Sequence, residues 1–596
     1  MRPSKEPRPA PAKDASNQAA HDDPEFSWDH EVDLLVLGSG AGGLSAALFG
    51  TICGAKVLLC EKTSQVGGTT ASSGGIVWAP GNLFAKDRGI DDPADQVRTY
   101  LKGECGRHYN AELADAFIES APKAVATLHA RTEAKFAMTQ WPDYHSDRPG
   151  AAQLGRSLEA QRFDGRRLGK AFTLVRPPLP PLMLFGGMQV DKRKVDDFLN
   201  PFGDLKTLLR ILKTLARYGL DRLSYPRGTE LGAGNAMVAA MLYSLLQGGA
   251  EVWTNSPIEK LVRKSGTVVG GVIRRNGRTM SVGARRGVIL ATGGFPSNKH
   301  MREELSARFP HDITFGFEGD VGDGINVARA VGAVLDDDVD SSAYWQPSSK
   351  LRLSDGREQG VLYGYLDRGR PGVVAVDRTG RRFVNEANSY HDVGLALIKA
   401  GSGEGNIFHF VCDRTFVWHH GLGMIRPFTW NLRGFERMGY IAMAGSVVDL
   451  AAKIGVDPKG LSNTIANHNA YAATGVDLEF GKGSTAYNRL FGSKRAGPNP
   501  NLAPIKKPPF VALRIYPGTL GTAIGLRASG NAQIMDGAGK PITGLYACGN
   551  DMASAVRGCY PAGGATLGPA IAFAYRAVAH ALGAEPESFV SAGDDR

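Results

Sequence analysis

Apolar residues in this chain are concentrated in short runs, and several of these runs end abruptly in glycines. The first run, VDLLVL at 32–37, has the length and composition of a buried parallel strand, and the turn GSGAGG follows it at once. Small residues typical of a helix packed closely on a sheet come next, and a second strand-like run, KVLLC, leads to Glu61. The pattern therefore predicts a βαβ unit of the Rossmann type.

The strand-to-glycine pattern returns far along the chain. GVILATGGF at 287–295 is an apolar strand that ends in glycines, and GLYACGND at 544–551 is similar. Because such turns lie at both ends of the chain, the predicted fold is α/β, with a discontinuous Rossmann-type domain at about 29–338 and 520–585. An α+β catalytic domain at about 339–519 is predicted to be inserted between the two parts.

The first glycine turn carries the spacing G-x-G-x-x-G at Gly38, Gly40 and Gly43. Glycines let a pyrophosphate approach the backbone, and the helix N-terminus that follows supplies partial positive charge. Glu61 lies 18 positions after Gly43, where an acidic residue would grip a ribose hydroxyl. The motif alone is weak evidence, and a plain βαβ turn is the alternative. Its whole context occurs here in order, so we predict a dinucleotide site.

Further features favour FAD over NAD at this site. The Gly/Ser/Thr-rich stretch at 65–75 is suited to threading backbone amides past a flavin, and no second G-x-G-x-x-G is present. That stretch holds no histidine, so we expect FAD to be bound non-covalently. The residues predicted to contact FAD are Gly38, Gly40, Ala41, Gly42, Gly43, Glu61, Lys62, Gly67, Gly68, Thr69, Ser73, Gly74, Gly75, Ala291, Thr292, Gly293, Gly549, Asn550, Ala565 and Leu567.

Composition narrows the class of protein. The chain has 596 residues, 43% hydrophobic and 21% charged, which is typical of a globular protein with more than one domain. Its six cysteines are scattered without a C-x-x-C pair, so we predict neither disulfides nor a metal site, and a reducing, cytoplasmic location. Residues 1–28 lack an apolar core and are interpreted as a disordered tail, not a signal peptide.

The net charge of +10 is unevenly distributed along the chain. An insertion at about 151–228 holds 15 Lys and Arg against 7 Asp and Glu, and the remainder is nearly neutral, which argues against a nucleic-acid binder. Within it, a proline-rich apolar stretch at 174–185 precedes a segment from Asp204 to Leu223 with leucines at helical spacing. Its basic residues, predicted to fall on the opposite side of the helix, are Lys206, Arg210, Lys213 and Arg217.

Two interpretations of this amphipathic segment stay open. A basic helix beside an apolar loop is typical of a membrane-surface patch, so residues 174–223 could dock the protein on the inner face of the cell membrane. The alternative is a helix packed on the protein's own core or on a second subunit.

Four short segments, read with the glycine turns, carry a family resemblance. They are WPDY at 141–144, RFVNEANSYHDVG at 382–394, LGT at 520–522 and YPAGG at 560–564. With GSGAGG, GGTTASSGG, ATGG and LYACGN, they resemble the fumarate reductase-like flavoproteins, and among these the 3-ketosteroid Δ1-dehydrogenases. The resemblance extends from about Glu31 to Leu582, apart from the insertion.

The resemblance implies roles for four residues. In the family, three tyrosines surround the steroid A ring, and the matching positions are Tyr144, Tyr390 and Tyr560. Tyr560 and the N–H of Gly564 are implied to bind the ketone oxygen as an oxyanion hole. Tyr390 is implied to be the base, with Tyr144 supporting it by a hydrogen bond. The family usually has Tyr-Pro-Gly-Pro-Gly where this chain has YPAGG, which keeps the spacing but lacks the second proline.

The implied activity is the FAD-dependent introduction of a C1=C2 double bond into a 3-ketosteroid, by abstraction of a C2 proton and transfer of a C1 hydride to flavin N5. An external electron acceptor, quinone-like or of another kind, would reoxidise the flavin. One alternative is an enoate reductase of the fumarate reductase type, for which Arg514 and Arg527 are the candidate carboxylate ligands. Another is a non-catalytic, membrane-docking flavoprotein. His145 and His391, each beside a site tyrosine, are interpreted as neighbours only.

Overall fold

The computed structural model describes residues 27–584 and Phe589, apart from 180–182, 190–193, 195–196, 199–203, 306–312, 354, 363–367, 402–406 and 494–495. The predicted tail at 1–28 therefore lies outside the described residues, except for its last two.

The strands are β1 (His30–Leu37), β2 (Val57–Cys60), β3 (Ile76–Trp78), β4 (Phe136–Met138), β5 (Ser157–Ala160), β6 (Phe163–Asp164), β7 (Met183–Leu184), β8 (Met188–Gln189), β9 (Glu230–Leu231), β10 (Glu251–Trp253), β11 (Ile258–Lys264), β12 (Thr267–Arg275), β13 (Arg278–Leu290), β14 (Leu335–Asp336), β15 (Ala343–Arg352), β16 (Glu358–Leu362), β17 (Val373–Val376), β18 (Phe408–Asp413), β19 (Ala442–Ala444), β20 (Phe510–Thr522), β21 (Gly525–Leu526), β22 (Gln533–Met535) and β23 (Pro541–Ala547).

The α-helices are α1 (Ala41–Ile52), α2 (Leu83–Lys86), α3 (Ala94–Cys105), α4 (Ala111–Arg131), α5 (Leu205–Ser224), α6 (Ala233–Gln247), α7 (Lys299–Leu305), α8 (Asp323–Arg329), α9 (Tyr390–Ala400), α10 (Arg414–His420), α11 (Arg433–Arg437), α12 (Val447–Ile454), α13 (Pro458–Thr474), α14 (Ala486–Leu490) and α15 (Leu567–Leu582).

The main sheet has a parallel centre in the order β10-β2-β1-β13-β23. β1 lies between β2 and β13, with Leu35 opposite Leu58 and Val288, so the predicted apolar strands form its buried middle. β12 and β11 extend the sheet antiparallel to β13. This is the strand order of a Rossmann-type sheet, in which ligands bind outside the carboxyl ends of the strands. The predicted fold class is confirmed.

A second, antiparallel sheet has the order β16-β15-β20-β18-β17, with β19 also paired to β20. β20 runs from Phe510 to Thr522 and therefore passes through the predicted domain boundary at 519/520. The apolar core residues of the main sheet and those of the second sheet form separate clusters. The domain boundaries themselves stay a prediction.

The predicted amphipathic helix is present as α5, and the side chain of Asp204 caps it by accepting a hydrogen bond from the Thr207 N–H at 2.7 Å. Its buried positions are Thr207, Ile211 and Asp221. Leucines dominate the side that faces outward, where Leu209, Leu212 and Leu220 are 56%, 53% and 63% exposed. Within the described ranges, the leucine side is thus not covered by the protein's core.

The basic side of α5 is only partly available to a partner. Arg210 forms an ion pair with Asp197 at 2.6 Å, and Arg217 one with Asp164 at 2.8 Å. Lys206 and Lys213 are exposed. None of the described helices is long and apolar enough to cross a membrane.

Candidate active site

A cavity of about 1740 Å³ opens at the carboxyl ends of the parallel strands. A single drug-sized ligand occupies a site of roughly 300–1,000 Å³, so this space suits a long cofactor together with a second ligand. All but four of the residues predicted to contact FAD line it. The exceptions are Gly42, Gly43, Gly67 and Ala565.

Close packing explains two of the three glycines among these exceptions, Gly42 and Gly43. A Cβ on Gly43 would lie 1.9 Å from the backbone oxygen of Gly38, and one on Gly42 would lie 2.9 Å from the sulfur of Cys548. Gly42 and Gly43 therefore let α1 pack against the strand ends, and they do not form the cavity wall. Gly38 itself has a φ of +102° and lies against Ala291, which leaves no room for a side chain.

The turn between β1 and α1 fits the pyrophosphate of a dinucleotide. α1 begins after Gly40, which has no side chain to cap it, and its first turn holds no acidic residue. The Ala41 N–H donates to the Thr70 hydroxyl at 2.9 Å, and the start of the helix lines the cavity. At the end of β2, the Glu61 carboxylate accepts hydrogen bonds from Ser39 and from the N–H of Thr63 and remains on the cavity wall. Its remaining lone pairs suit a ribose hydroxyl.

Two buried aspartates hold loops of this site in place by hydrogen bonds. Asp551 accepts hydrogen bonds from the N–H groups of Thr292, at 2.5 Å, and Gly294, at 3.0 Å, and so fixes the turn after β13; burial raises its pKa. Asp320 accepts a hydrogen bond from Thr69 at 2.7 Å, and burial raises its pKa to about 7. Asp320 lies in a loop without a recognisable motif, so sequence reasoning missed it.

The three predicted tyrosines meet in one buried cluster, although they come from distant segments. Tyr144 follows β4, Tyr390 is the first residue of α9, and Tyr560 precedes α15. The ring centroids of Tyr390 and Tyr560 are 5.1 Å apart, and that of Tyr144 is 5.7 Å and 5.8 Å from them. Tyr390 and Tyr560 line the cavity, whereas Tyr144 lies behind them.

The hydroxyl of Tyr560 has two side-chain partners. Burial raises its pKa, while hydrogen bonds with Tyr390 and Thr566 act in the opposite direction. The hydroxyls of Tyr390 and Tyr560 are therefore within hydrogen-bonding distance at the cavity wall.

Gly564 also lies on the cavity wall, in a conformation that excludes side chains. Its φ is +93°, and a Cβ would lie 2.5 Å from the Trp78 nitrogen. Its carbonyl accepts hydrogen bonds from the N–H groups of Trp78, at 3.2 Å, and Gly568, at 2.9 Å. Within the described part of the chain, the Gly564 N–H donates to no acceptor. A hydroxyl and a backbone N–H thus flank the same stretch of cavity.

Two further tyrosines belong to the cluster and were missed from the sequence. The hydroxyl of Tyr344, on β15, donates a hydrogen bond to Ser554 at 2.7 Å, and its ring is 5.3 Å from that of Tyr560. The ring of Tyr487 is 4.6 Å from that of Tyr144, and burial raises the pKa of both Tyr344 and Tyr487. Neither lies in a local motif, so only the tertiary fold identifies them.

The two candidate histidines have opposite electrostatic environments. Burial opposes a charge on His145, but hydrogen bonds to Asp392 and Glu104 outweigh it and raise its pKa to about 10. Burial lowers the pKa of His391 to about 4, and its Nδ1 accepts a hydrogen bond from the Trp345 N–H at 3.1 Å. At neutral pH His145 is charged and His391 is neutral.

Comparison with known proteins identifies the family. A family model for an FAD binding domain matches residues 33–567. The chain belongs to this FAD-binding flavoprotein family.

Relatives of this flavoprotein share most of its length. It is 36% identical over 553 residues to the 4-oxocyclohex-2-ene-1-carboxylate 5-dehydrogenase of Sinomonas cyclohexanicum, covering 91% of this chain and 92% of that protein. It is 32% identical over 566 residues to the 3-oxosteroid 1-dehydrogenase of Mycobacterium tuberculosis, covering 92% and 98%.

A solved structure agrees with these matches. The 3-ketosteroid Δ1-dehydrogenase of Sterolibacterium denitrificans, in complex with 1,4-androstadiene-3,17-dione, superposes with a TM-score of 0.85 at 33% identity, covering 93% of this chain and 100% of that chain. The flavoprotein is therefore an FAD-dependent oxidoreductase, and both the FAD cofactor and the resemblance to 3-ketosteroid Δ1-dehydrogenases are confirmed. The site roles of the tyrosines stay a prediction.

The candidate dicarboxylate ligands of the enoate reductase alternative are not at the site. Arg514 and Arg527 are both exposed, and neither lines the cavity. Arg514 lies over the ring of Tyr516 instead, at 5.3 Å. The geometry gives no support to a fumarate-like substrate held by these arginines.

Proposed function

We propose that this flavoprotein introduces a double bond beside a ring ketone, and that its substrate is a 3-ketosteroid desaturated between C1 and C2. One observation carries the proposal. The Tyr560 hydroxyl and the Gly564 N–H, which has no acceptor in the described part of the chain, flank the cavity beside Tyr390. Two donors beside an ionisable hydroxyl suit a ketone whose α-carbon must lose a proton.

The residues act on the substrate as follows. Tyr560 and Gly564 donate hydrogen bonds to the C3 ketone oxygen, which acidifies the hydrogens on C2 because the carbanion is stabilised as an enolate. Tyr390 takes the C2 proton, and the electron pair left behind forms the C1=C2 bond as a hydride leaves C1. FAD, when bound, supplies the acceptor for that hydride.

Tyr390 needs help to act as a base at neutral pH. A free tyrosine has a pKa of about 10, so hydrogen bonds must stabilise its anion. The single O–H of Tyr560 is given to the ketone, so we assign this support to Tyr144, whose ring centroid is 5.7 Å from that of Tyr390. The rings of Tyr144 and Tyr487 pack behind the pair, and the ring of Tyr344 lines the cavity beside Tyr560. Together they keep water from the proton acceptor. A wall of aromatic rings also suits a flat, apolar substrate.

A ring keto acid, like the substrate named for the Sinomonas relative, is the second candidate. The position of one cationic side chain, Arg426, favours this keto acid as the substrate. Arg426 lines the cavity, and no carboxylate among the described residues pairs with it, whereas the other cavity cations, Lys62 and Arg162, pair with Asp323 and Glu230.

Turnover of each substrate with an artificial electron acceptor separates the two candidates. We expect androst-4-ene-3,17-dione to yield the 1,4-diene and 4-oxocyclohex-2-ene-1-carboxylate to give no product, with Arg426→Gln leaving steroid turnover unchanged. If only the keto acid reacts, the steroid assignment is wrong. Arg426→Gln should then raise KM for the acid about 10-fold, and Arg433→Gln, an exposed arginine outside the cavity, is the matched control.

We further propose that α5 docks the protein on a membrane surface and that an external acceptor, quinone-like or of another kind, reoxidises the flavin. The exposed leucines of α5 support the first part, because sterol-like substrates partition into lipid. Pro178 and Leu179, from the proline-rich stretch of the same insertion, line the cavity. A membrane contact there would thus lie in the insertion that also borders the site.

A further inference from the structure

A cluster of four charged side chains lies beside the tyrosines, outside the cavity. His145 hydrogen bonds through Nδ1 to Glu104 at 2.8 Å and through Nε2 to Asp392 at 3.1 Å. Arg148 also donates to Glu104, at 2.8 Å. None of the four lines the cavity. The charges of the cluster balance, because His145 and Arg148 are positive and Glu104 and Asp392 are negative.

This cluster connects the segments that carry the site tyrosines. His145 directly follows Tyr144, and Asp392 lies in the first turn of α9, two residues after Tyr390. The Ser389 side chain caps that turn by accepting a hydrogen bond from the Asp392 N–H at 3.1 Å. The imidazole is therefore a direct side-chain link between the Tyr144 loop and the helix that presents the proposed base.

Backbone contacts extend the link to the third tyrosine. The Tyr144 N–H and the Tyr100 hydroxyl both donate to the carbonyl of Pro561, at 2.8 Å and 2.7 Å. The N–H of His145 donates to the Tyr100 hydroxyl at 3.3 Å. Pro561 follows Tyr560, so movement of His145 would be transmitted to all three tyrosine segments.

We propose that His145, as an imidazolium bridging Glu104 and Asp392, is a positioning residue that holds the α9 helix and Tyr390 in register with the ketone-binding donors. This inference rests on the proposed function. Both ring nitrogens must donate, because each faces a carboxylate. A neutral imidazole would turn one lone pair toward a carboxylate and break one of the two links.

The charges around the imidazole set the pH range of the bridge. The imidazole of His145 is faced by Glu104 from α3 and by Asp392 from α9. Arg148 pairs with Glu104 from its other side. His391 lies nearby and is neutral at physiological pH. The pKa of His145 is raised from an ordinary 6.5 to about 10. The stability that it contributes is therefore complete below about pH 6.5 and is lost as pH rises through about 10.

The test is His145→Gln in the FAD-loaded enzyme, with the rate of anaerobic flavin reduction by androst-4-ene-3,17-dione measured from pH 6 to 10. We expect unchanged flavin content and steroid affinity, because no cavity contact is lost. We expect flavin reduction to slow about 100-fold, as for a misplacement of about 1 Å, and the rising limb of the pH profile to move to higher pH. Loss of the cation leaves the Asp392 charge uncompensated near the base.

Asp392→Asn is the second variant, and combining it with His145→Gln should cost less than the sum of the two effects. A wild-type rate with an unshifted profile in both single variants would overturn the positioning role. Failure of wild-type flavin to respond to any ring ketone would instead refute the proposed function. The bridge is then still tested by thermal unfolding, where the difference in stability between wild type and His145→Gln must be largest below about pH 6.5 and must shrink as pH rises through about 10.

Discussion

At the scale of single residues, the site depends on hydroxyl groups that share hydrogen bonds. Tyr560 interacts with Tyr390 in the cluster, yet the proposed chemistry gives Tyr560 to the ketone oxygen and Tyr390 to the C2 proton. Burial raises the pKa of Tyr560, which keeps it a donor through the neutral range. The two tyrosines are thus chemically different although both are buried.

Removing the Tyr560 hydroxyl should slow turnover without abolishing it. Tyr560→Phe deletes one of two oxyanion donors, which typically costs about 100- to 1000-fold in kcat, and the Gly564 N–H remains. Steady-state kinetics with a soluble 3-ketosteroid measure the loss. Tyr344→Phe, which removes the hydrogen bond to Ser554 instead, is the matched control and should cost far less. Equal losses in both variants would contradict the assignment.

Glu61 should matter for retention of the cofactor. Glu61→Ala removes a carboxylate from the cavity wall at the end of β2, so FAD should dissociate more readily while the fold is kept. Flavin content per protein after purification and gel filtration measures this. Asp33→Ala, a carboxylate at the opposite end of the strands that bonds Lys56, is the control. Full flavin occupancy in Glu61→Ala would show that the ribose contact is misassigned.

At the scale of elements, the segment that leads into α9 is held by a buried ion network. Arg382 pairs with Glu386 and Asp477, both at 2.9 Å, and Lys482 pairs with Glu386 at 3.1 Å. Burial opposes the charge on Glu386, but Arg382 and Lys482 outweigh it and lower its pKa to about 2. The motif RFVNEANSY therefore contains two members of this ion network, Arg382 and Glu386, as well as the proposed base, Tyr390.

Neutralising Glu386 should destabilise the protein. Glu386→Gln leaves two buried cations short of a partner, which typically costs about 3–5 kcal/mol. Because the pKa is lowered from an ordinary 4.5, the contribution is complete above about pH 4.5 and is lost as pH falls toward 2. Denaturant unfolding at pH 7 and pH 3 measures it. Glu479→Gln, which changes an exposed partner of the same arginine, should cost much less, and equal costs would contradict the network.

The exposed leucines of α5 should bind lipid. Replacing Leu209, Leu212 and Leu220 by serine should abolish co-sedimentation with anionic liposomes and leave turnover of a soluble steroid unchanged. Lys206→Glu with Lys213→Glu tests the electrostatic part. Arg210 and Arg217 are left intact because their ion pairs hold the helix in place. Unaltered liposome binding, or a dimer that dissociates in the serine variant, would favour the packed-helix alternative.

Local pattern predicted the elements that are locally encoded. The apolar runs before Gly38 and Gly293 and the leucine spacing after Asp204 became strands and a helix, because each pattern describes one element. Tyr344, Tyr487 and Asp320 were not predictable, since distant strands and loops bring them to the site. The outward direction of the α5 leucines also depends on tertiary packing, which periodicity alone does not encode.

At the scale of the whole molecule, the site forms where the two sheets approach each other. The glycine turns of the main sheet line one part of the cavity, and residues of β15 and α9 from the second sheet region line another. Tyr144 and Tyr560 come from segments packed on the first region, and Tyr390 from the second. Segments that are distant in the chain thus bring the cofactor site and the proposed proton acceptor to one cavity.

The central claim is that Tyr390 removes a proton beside a ketone that Tyr560 and Gly564 hold. The most direct test is an anaerobic titration of the FAD-loaded protein with androst-4-ene-3,17-dione, followed by flavin absorbance. Wild type should bleach with one equivalent of steroid, whereas Tyr390→Phe should still bind steroid, seen as a spectral shift, and bleach at least about 1000-fold more slowly. Bleaching of Tyr390→Phe at the wild-type rate would place the base on another residue and contradict the account.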